Sequence, residues 1–378
     1  MSTSQKKIQM VDLKGQYLKI KSEVDSAIQD CLSNATFING PEVANFANGL
    51  AKYLNAAYVI PVANGTDALQ IAMMALGLKP GDEVIVPAFT YVATAEVIAL
   101  LGLTPVWVDV DSDTFTIDAN KVESIITPKT KAIVPVHLYG QTASMEQLMA
   151  IARKHHLFVI EDNAQALGAD YHFSDSTVVK AGVIGDIGCT SFFPSKNLGC
   201  YGDGGALYTN NKQLAESIKM IANHGQKVKY YHDVIGVNSR LDSLQAAILN
   251  VKLTYLDEYT SARQRAASRY DKLLSGINQI NTPVRNKHSS HVFHQYTIKV
   301  KDDRDGLKSY LESHGVPTMI YYPVPMHQQK AYVNDGYPLG SFPVSELLSK
   351  EVISLPMHTE LDEATQVFIA DKIKAFFT

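Results

Sequence analysis

Between Tyr58 and Ile160 the sequence alternates short apolar, β-branched runs with stretches whose apolar residues recur at helical spacing. Tyr58–Val62, Glu83–Val86, Val106–Val110, Ala132–Val136 and Leu157–Ile160 read as strands. Leu69, Ala72, Met73 and Leu76 share one helical face, and further helices are expected at about 90–101, 119–126 and 144–155. A strand–helix–strand rhythm returns each strand beside its predecessor in the same direction, because a parallel pair needs a crossover long enough to hold a helix. Strands apolar almost throughout belong to a sheet covered on both faces. The expected class is α/β: a mostly parallel sheet sandwiched by helices.

The rhythm changes after about residue 185. Cys189–Phe193 and Ala206–Thr209 read as strands joined by a glycine-rich loop instead of a helix, and amphipathic helices follow at about 213–223, 240–253 and 255–275. The last hundred residues predict a strand at His294–Val300, a helix at 304–314, a strand at Thr318–Tyr322 and a terminal helix at 361–377. A chain of 378 residues is too long for one simple core. It is expected to divide into a large domain at 1–253, with an N-terminal helical segment, and a small α+β domain at 254–378.

Composition removes several classes of partner. With 34 Lys+Arg against 38 Asp+Glu the net charge is −4, which leaves no basic footprint for nucleic acid or anionic lipid. Three cysteines (Cys31, Cys189 and Cys200) cannot build a disulfide framework and suit a reducing compartment. Residues 1–10 hold no apolar run of the secretory kind. The most apolar stretch, Val84–Val108, is interrupted by Pro87, Glu96, Gly102 and Pro105, short of the ~20 apolar residues of a membrane helix. A cytoplasmic protein is expected.

Four segments place polar groups at strand ends, where open α/β sheets bind ligands. Asn64-Gly65-Thr66-Asp67 opens a helix; it reads as a plain N-cap or, through free N–H groups and the helix dipole, as a phosphate seat. Glu161-Asp162-Asn163-Ala164-Gln165 follows a buried strand, where a carboxylate needs donors or a cation to offset its desolvation. Ser191-Phe-Phe-Pro-Ser195-Lys196 leads into Gly202-Asp-Gly-Gly205. A lysine in a loop this apolar is either a solvated tip or an amine with a lowered pKa, able to attack carbonyl carbon. Asn238-Ser-Arg240-Leu-Asp242 reads as a helix cap with a surface ion pair, or as donors for an anion. His288, His291 and His294 are three apart on what reads as the strand Val292–Val300. That spacing sends successive side chains to opposite faces, so no metal site is expected there.

A nucleophilic amine, a buried carboxylate after a strand and phosphate donors from two loops together suit pyridoxal 5′-phosphate. At these four segments the chain resembles the DegT/DnrJ/StrS sugar aminotransferases, and the likeness runs from Met10-Val-Asp-Leu13 to Leu355-Pro-Met-His358. The resemblance implies a pyridoxal-phosphate enzyme of fold type I with a mostly parallel sheet and a smaller α+β C-terminal domain. It also implies a homodimer with shared active sites. By the same resemblance Lys196 would bond the cofactor and shuttle a proton, Asp162 would pair with the pyridine nitrogen, and Gln165 would sit at the ring's O3′ side. Tyr91 would stack on the ring; Gly65, Thr66 and Ser191 would hold the phosphate, with Asn238 reaching in from the partner.

Within the family the chain looks most like the aminotransferases acting on UDP-2-acetamido-2-deoxy-3-keto-glucuronate. The shared stretches are Ala63–Gly77, Gly81–Leu101, Thr190–Ala206 and Gly236–Ala247. That likeness implies L-glutamate as donor, amination at C3 and a product bound for lipopolysaccharide or another surface polysaccharide. Phe37, Ser195, Arg240, Tyr321 and Tyr322 would line the substrate side. The alternative acceptor is a dTDP-3-keto-6-deoxyhexose. A dehydratase of the same fold carries histidine where this chain has Lys196, and a non-catalytic regulator would have little need for Lys196, Asp162 and Gln165 together. The chain departs from the family pattern at Asn163, often a small residue, at His172–Lys180, a longer excursion, and at Tyr321, where histidine is common.

Overall fold

The computed structural model describes residues 7–333 and 336–378. Residues 1–6, part of the segment read above for secretion signals, lie outside the described residues.

The strands are β1 (Tyr58–Val62), β2 (Glu83–Pro87), β3 (Thr104–Val108), β4 (Thr130–Ile133), β5 (Phe158–Asp162) and, after a ribbon of β6 (Asp170–His172) and β7 (Val178–Lys180), β8 (Ile187–Ser191) and β9 (Gly205–Thr209). Seven of them form one sheet in the order β1-β9-β8-β5-β4-β2-β3. The pairs β2–β3, β2–β4, β4–β5 and β5–β8 are parallel, while β9 runs antiparallel to both β8 and β1. One glycine-rich loop in place of a helix accounts for that single reversal.

Period-two geometry explains why the strands are apolar on both sides. Val84 and Val86 of β2, Ala132 of β4 and Ile160 of β5 face one core, with the helices Gly65–Ala75, Ala93–Leu100 and Lys212–Ala222. Ile85, Ile133 and Val159, their neighbours in sequence, face a second core against the helix Met145–His155. Val59, Ala206 and Tyr208 meet a third, built on the helices Pro41–Leu54 and Ser243–Leu253. Each fully buried Val, Ile or Leu contributes roughly 1.5–3 kcal/mol, so both faces of every central strand are held.

A two-stranded ribbon of β10 (Gln226–Val228) and β11 (Tyr231–His232) precedes the C-terminal part. There β12 (Ile280–Asn281), β13 (Tyr296–Val300) and β14 (Val352–Leu355) form an antiparallel sheet. With the helices Leu256–Leu274, Arg304–Ser313 and Glu363–Phe377 it encloses a separate apolar core around Tyr270, Tyr296 and Ile298.

Several sequence expectations need correction. Thr318–Tyr322 is not a strand: it makes one bridge, Met319 to Ser354, and is flanked by Pro317 and Pro323, which lack the N–H that a ladder needs. The strand expected from His294 begins at Tyr296, because the carbonyls of Phe293 and His294 are taken by the Arg263 guanidinium. The helix expected at 119–126 is one α-turn, Ala119–Val122, continued by a 3-10 turn. β3 stops at Val108, and Val110 pairs only in a bridge with Ile117. The helix expected from 240 starts at Ser243 with Asp242 as its cap residue, so Asn238 does not cap it. The excursion His172–Lys180 is the return of the β6–β7 ribbon.

Candidate active site

A cleft of about 630 Å³ opens where β1, β2, β5 and β8 end, within the range of small-molecule sites. It gathers Gly65, Thr66, Tyr91, Asp162, Gln165, Ser191, Ser195, Lys196, Tyr321 and Tyr322, residues from five separate stretches of the sequence.

Its floor begins at β1. Asn64 caps the following helix, its Oδ1 accepting from Asp67 N–H at 2.8 Å. The N–H groups of the first turn have no intrahelical partner and project beyond the helix end. This end is wedged against the neighbouring strands: a Cβ on Gly65 would lie 2.7 Å from Ser191 Cβ, and one on Gly205 would lie 2.4 Å from the Asn64 carbonyl. Ser239 braces it from behind, accepting from Ala63 N–H at 3.0 Å and donating to Asp67 Oδ2 at 2.6 Å. The cap of this helix is thus Asn64, and Thr66, the cap that the sequence suggests, lies inside the first turn.

At the end of β5 two adjacent carboxylates point to opposite faces. Glu161 is fully buried under the sheet. It accepts from the N–H groups of Gly182, Ile184 and Gly185 at 2.6–2.8 Å and from His137 Nε2 at 2.9 Å. His137 Nδ1 takes the Ala143 N–H, which fixes the ring proton on Nε2. Asp162 faces the cleft, 6% exposed, and accepts from Thr94 Oγ1 at 2.8 Å and from Ala164 N–H at 3.2 Å. Gln165 Oε1 accepts from Tyr139 N–H at 2.7 Å, which leaves Nε2 to donate to the Tyr322 hydroxyl at 3.1 Å.

Lys196 follows a tight turn, its N–H bonded to Phe193 O at 2.8 Å. The loop behind it is pinned by Cys200 N–H to Phe192 O at 2.8 Å, Phe192 N–H to Gly204 O at 2.7 Å, and the buried Lys252 ammonium to Gly199 O. Burial in the cleft wall draws the Lys196 amine down to about 8, against the opposing pull of the Asp162 carboxylate. It is therefore not a solvated loop tip. Tyr91, 54% exposed, stands at the mouth with its ring 6.0 Å from that of Tyr322.

Phe37, Asn238 and Arg240 lie outside this cleft. Asn238 is exposed and bridges Asn223; Phe37 O accepts from Ser243 N–H at 3.0 Å beside the bridge between Ile38 and Asp242. Among the described residues no ion pair joins Arg240 to Asp242, and no group of three His, Cys, Asp or Glu is placed to hold a metal.

Sequence reasoning missed Thr94, Tyr139, Ser239, His294 and Gln295. Thr94 sits in a helix that reads as ordinary core. The spacing of His294 speaks only to metal ligation, yet the residue lines the cleft together with Gln295. The half-buried Gly182–Gly185 turn that receives Glu161 carries a signal in its two glycines, but only the fold brings it to β5.

The sequence matches the family model of the DegT/DnrJ/EryC1/StrS aminotransferases over residues 18–374. It is similar to a Pseudomonas aeruginosa UDP-2-acetamido-2-deoxy-3-oxo-D-glucuronate aminotransferase, 48% identical over 95% of this chain and 97% of the relative. It is also similar to a Streptomyces venezuelae dTDP-3-amino-3,4,6-trideoxy-alpha-D-glucose transaminase, 39% identical over 97% of this chain and 96% of the relative. A solved structure of NtdA from Bacillus subtilis with the cofactor PMP bound superposes with a TM-score of 0.90 and 33% identity, covering 100% of this chain and 86% of that one. Family and structural relative together indicate a pyridoxal phosphate cofactor.

Proposed function

From the premise that the chain belongs to the DegT/DnrJ/EryC1/StrS aminotransferase family, we propose that it moves the amino group of L-glutamate to C3 of UDP-2-acetamido-2-deoxy-3-keto-glucuronate. The product would enter lipopolysaccharide or another surface polysaccharide. The observation that carries this is Lys196: an amine drawn down to about 8 in the same cleft as Asp162. The 48% identity to a relative named for the uronate, against 43% and 39% to two named for dTDP sugars, supports the uronate.

The donor set fits pyridoxal phosphate. The helix end at Gly65, where any Cβ would strike Ser191, suits a phosphate; the amine suits an aldehyde; the twice-bonded Asp162 suits a ring N–H. When bound, that group supplies an aldehyde to take up and release an amino group, and a protonated ring that absorbs the electron pair freed at carbon.

Gly65, Thr66 and Ser191 would hold the phosphate oxygens, and Tyr91 would cover the ring. Asp162, fixed by Thr94 and Ala164, would accept the pyridine N–H and keep it protonated. Gln165 would donate its remaining amide hydrogen to the ring oxygen. Lys196, with its amine drawn down to about 8, would be the group that moves the proton, at Nζ. Ser195, Tyr321 and Tyr322 face the sugar. A second copy of the chain would supply Asn238 to the phosphate and Arg240 and Phe37 to the nucleotide sugar, which accounts for their position outside this chain's own cleft.

The chain divides in this reading into a cofactor-holding part at 1–253 and a smaller part at 254–378, and it works as a cytoplasmic homodimer. The alternative acceptor is a dTDP-3-keto-6-deoxyhexose. A regulatory role without chemistry would leave the Lys196, Asp162 and Gln165 constellation without use. Lys196→Ala tests the core of the proposal. It should keep the fold by circular dichroism and lose turnover by at least about 10³-fold; unchanged turnover would remove Lys196 from the chemistry.

A further inference from the structure

We infer that Tyr139, which does not line the cleft, is a positioning residue for the sugar step: both hydrogen bonds that place Tyr321 and Tyr322 trace back to it. This rests on the aminotransferase reading above, which sets those two tyrosines against the sugar, and names the residue that holds them there.

Among the described residues the segment Thr318–Tyr322 joins no sheet, so no strand ladder places it. Met319 anchors one end, exchanging N–H and carbonyl with Ser354 at 3.2 and 2.7 Å. Beyond the other end Met326 N–H reaches Ala88 O at 2.7 Å. Between these anchors, among the described residues, Tyr321 and Tyr322 have one hydrogen-bond partner each. The Tyr139 hydroxyl donates to Tyr321 O, and Gln165 Nε2 donates to the Tyr322 hydroxyl at 3.1 Å.

Chemistry settles the direction of both bonds. A carbonyl oxygen only accepts, so Tyr139 is the donor to Tyr321. Burial, with the Tyr322 hydroxyl nearby, holds the Tyr139 hydroxyl well above its ordinary range, so it keeps the proton it donates. Gln165 Oε1 lies 2.7 Å from Tyr139 N, and a backbone N–H only donates. The amide oxygen therefore faces Tyr139, and the NH₂ faces Tyr322. Tyr139 thus fixes Tyr321 through its side chain and Tyr322 through the amide that its backbone orients.

Tyr139 is itself held on every side. It is 2% exposed and absent from the residues that line the cleft, so it acts through its neighbours. Its φ of +60° is rare for a bulky residue. Its carbonyl accepts from Gln295 N–H at 3.2 Å, and the next carbonyl, of Gly140, accepts from Val292 N–H at 2.8 Å. A Cβ on Gly140 would lie 2.8 Å from Phe293 N. The ring meets Phe115 edge-on, with centroids 5.2 Å apart. An unfavourable backbone over-determined in this way beside a site is where strain serves function.

Tyr139→Phe keeps the ring and the N–H on Gln165 and removes only the donor to Tyr321. The test separates the two half-reactions of protein loaded with pyridoxal phosphate. Bleaching of the yellow colour by L-glutamate reads the donor step; return of the colour with the keto sugar that native protein accepts reads the sugar step. The variant is expected to bleach at the native rate and to need about tenfold or more keto sugar for half-maximal recovery. Native behaviour in both steps overturns the proposal. So does a loss shared by both steps, which a merely structural role would give, or a loss confined to glutamate. Native protein that glutamate does not bleach fails at the aminotransferase reading itself, and the role of Tyr139 falls with it. If the phenylalanine variant does not fold, a 3-fluorotyrosine in place of Tyr139 decides by its ¹⁹F resonance. The unreactive hydroxy counterpart of the keto sugar must shift that signal, and glutarate must leave it in place. No shift with the sugar, or the same shift with both, overturns the proposal.

Discussion

The Thr94 hydroxyl donates to Oδ2 of Asp162 at 2.8 Å, from a helix that otherwise packs as core. With Ala164 N–H on Oδ1 it fixes the plane of the one cleft-facing carboxylate on β5. Thr94→Val keeps the shape and removes the donor. A hydrogen bond to a charged group contributes about 1.5–3 kcal/mol, so the turnover rate should fall by about tenfold or more, with circular dichroism unchanged. Thr94→Ser should recover most of the rate; a valine variant with native kinetics would make Thr94 a packing residue only.

The lowered amine of Lys196 sets a pH dependence. Its pKa of about 8 means that the fraction of neutral, nucleophilic amine rises about tenfold per pH unit well below pH 8, reaches one half there and levels above about pH 9. Cofactor-free protein should therefore take up pyridoxal phosphate faster between pH 6 and pH 8 and gain little above pH 9, followed by absorbance in a stopped-flow mixer. An ordinary lysine, titrating near pH 10.4, would keep accelerating through pH 10.

Gly65→Ala places a methyl group 2.7 Å from Ser191 Cβ, at the turn that forms the proposed phosphate seat. Either the helix end or β8 must shift. Affinity for pyridoxal phosphate should fall by at least about tenfold, roughly 1.4 kcal/mol, measured by equilibrium dialysis. Native affinity would place the phosphate elsewhere.

Glu161 is a structural carboxylate, facing away from Asp162. Glu161→Gln turns one acceptor oxygen into an NH₂ facing the N–H donors of the Gly182–Gly185 turn or of His137. Leaving buried donors without an acceptor costs about 1–3 kcal/mol. Urea unfolding should show a loss of that size with an unchanged m-value, and unchanged stability would mean that the turn rearranges freely.

The sheet was legible because both faces of each central strand are apolar, a pattern set by period two and double covering. The meeting of Lys196, Asp162 and Gly65 in one cleft was legible because each stands at or soon after the end of a strand, in a segment whose polarity contrasts with its surroundings. The segment Thr318–Tyr322 misled because β-branched and aromatic residues describe a pleated strand and a chain threaded through a cleft equally well. Its path is decided by partners far away in sequence: Tyr139, whose hydroxyl donates to Tyr321 O, and Gln165, which donates to the Tyr322 hydroxyl. His294 was hidden for a related reason. The irregular backbone at Phe293 leaves it at the cleft wall, and strand spacing alone gives no sign of that.

The most direct test adds L-glutamate to the yellow, pyridoxal-phosphate-loaded protein and follows its visible absorbance, then offers UDP-2-acetamido-2-deoxy-3-keto-glucuronate beside a panel of dTDP-3-keto sugars. Glutamate is expected to bleach the yellow colour, and the UDP-uronate to restore it. No bleaching with glutamate would contradict the aminotransferase function, and restoration by a dTDP sugar alone would contradict the uronate.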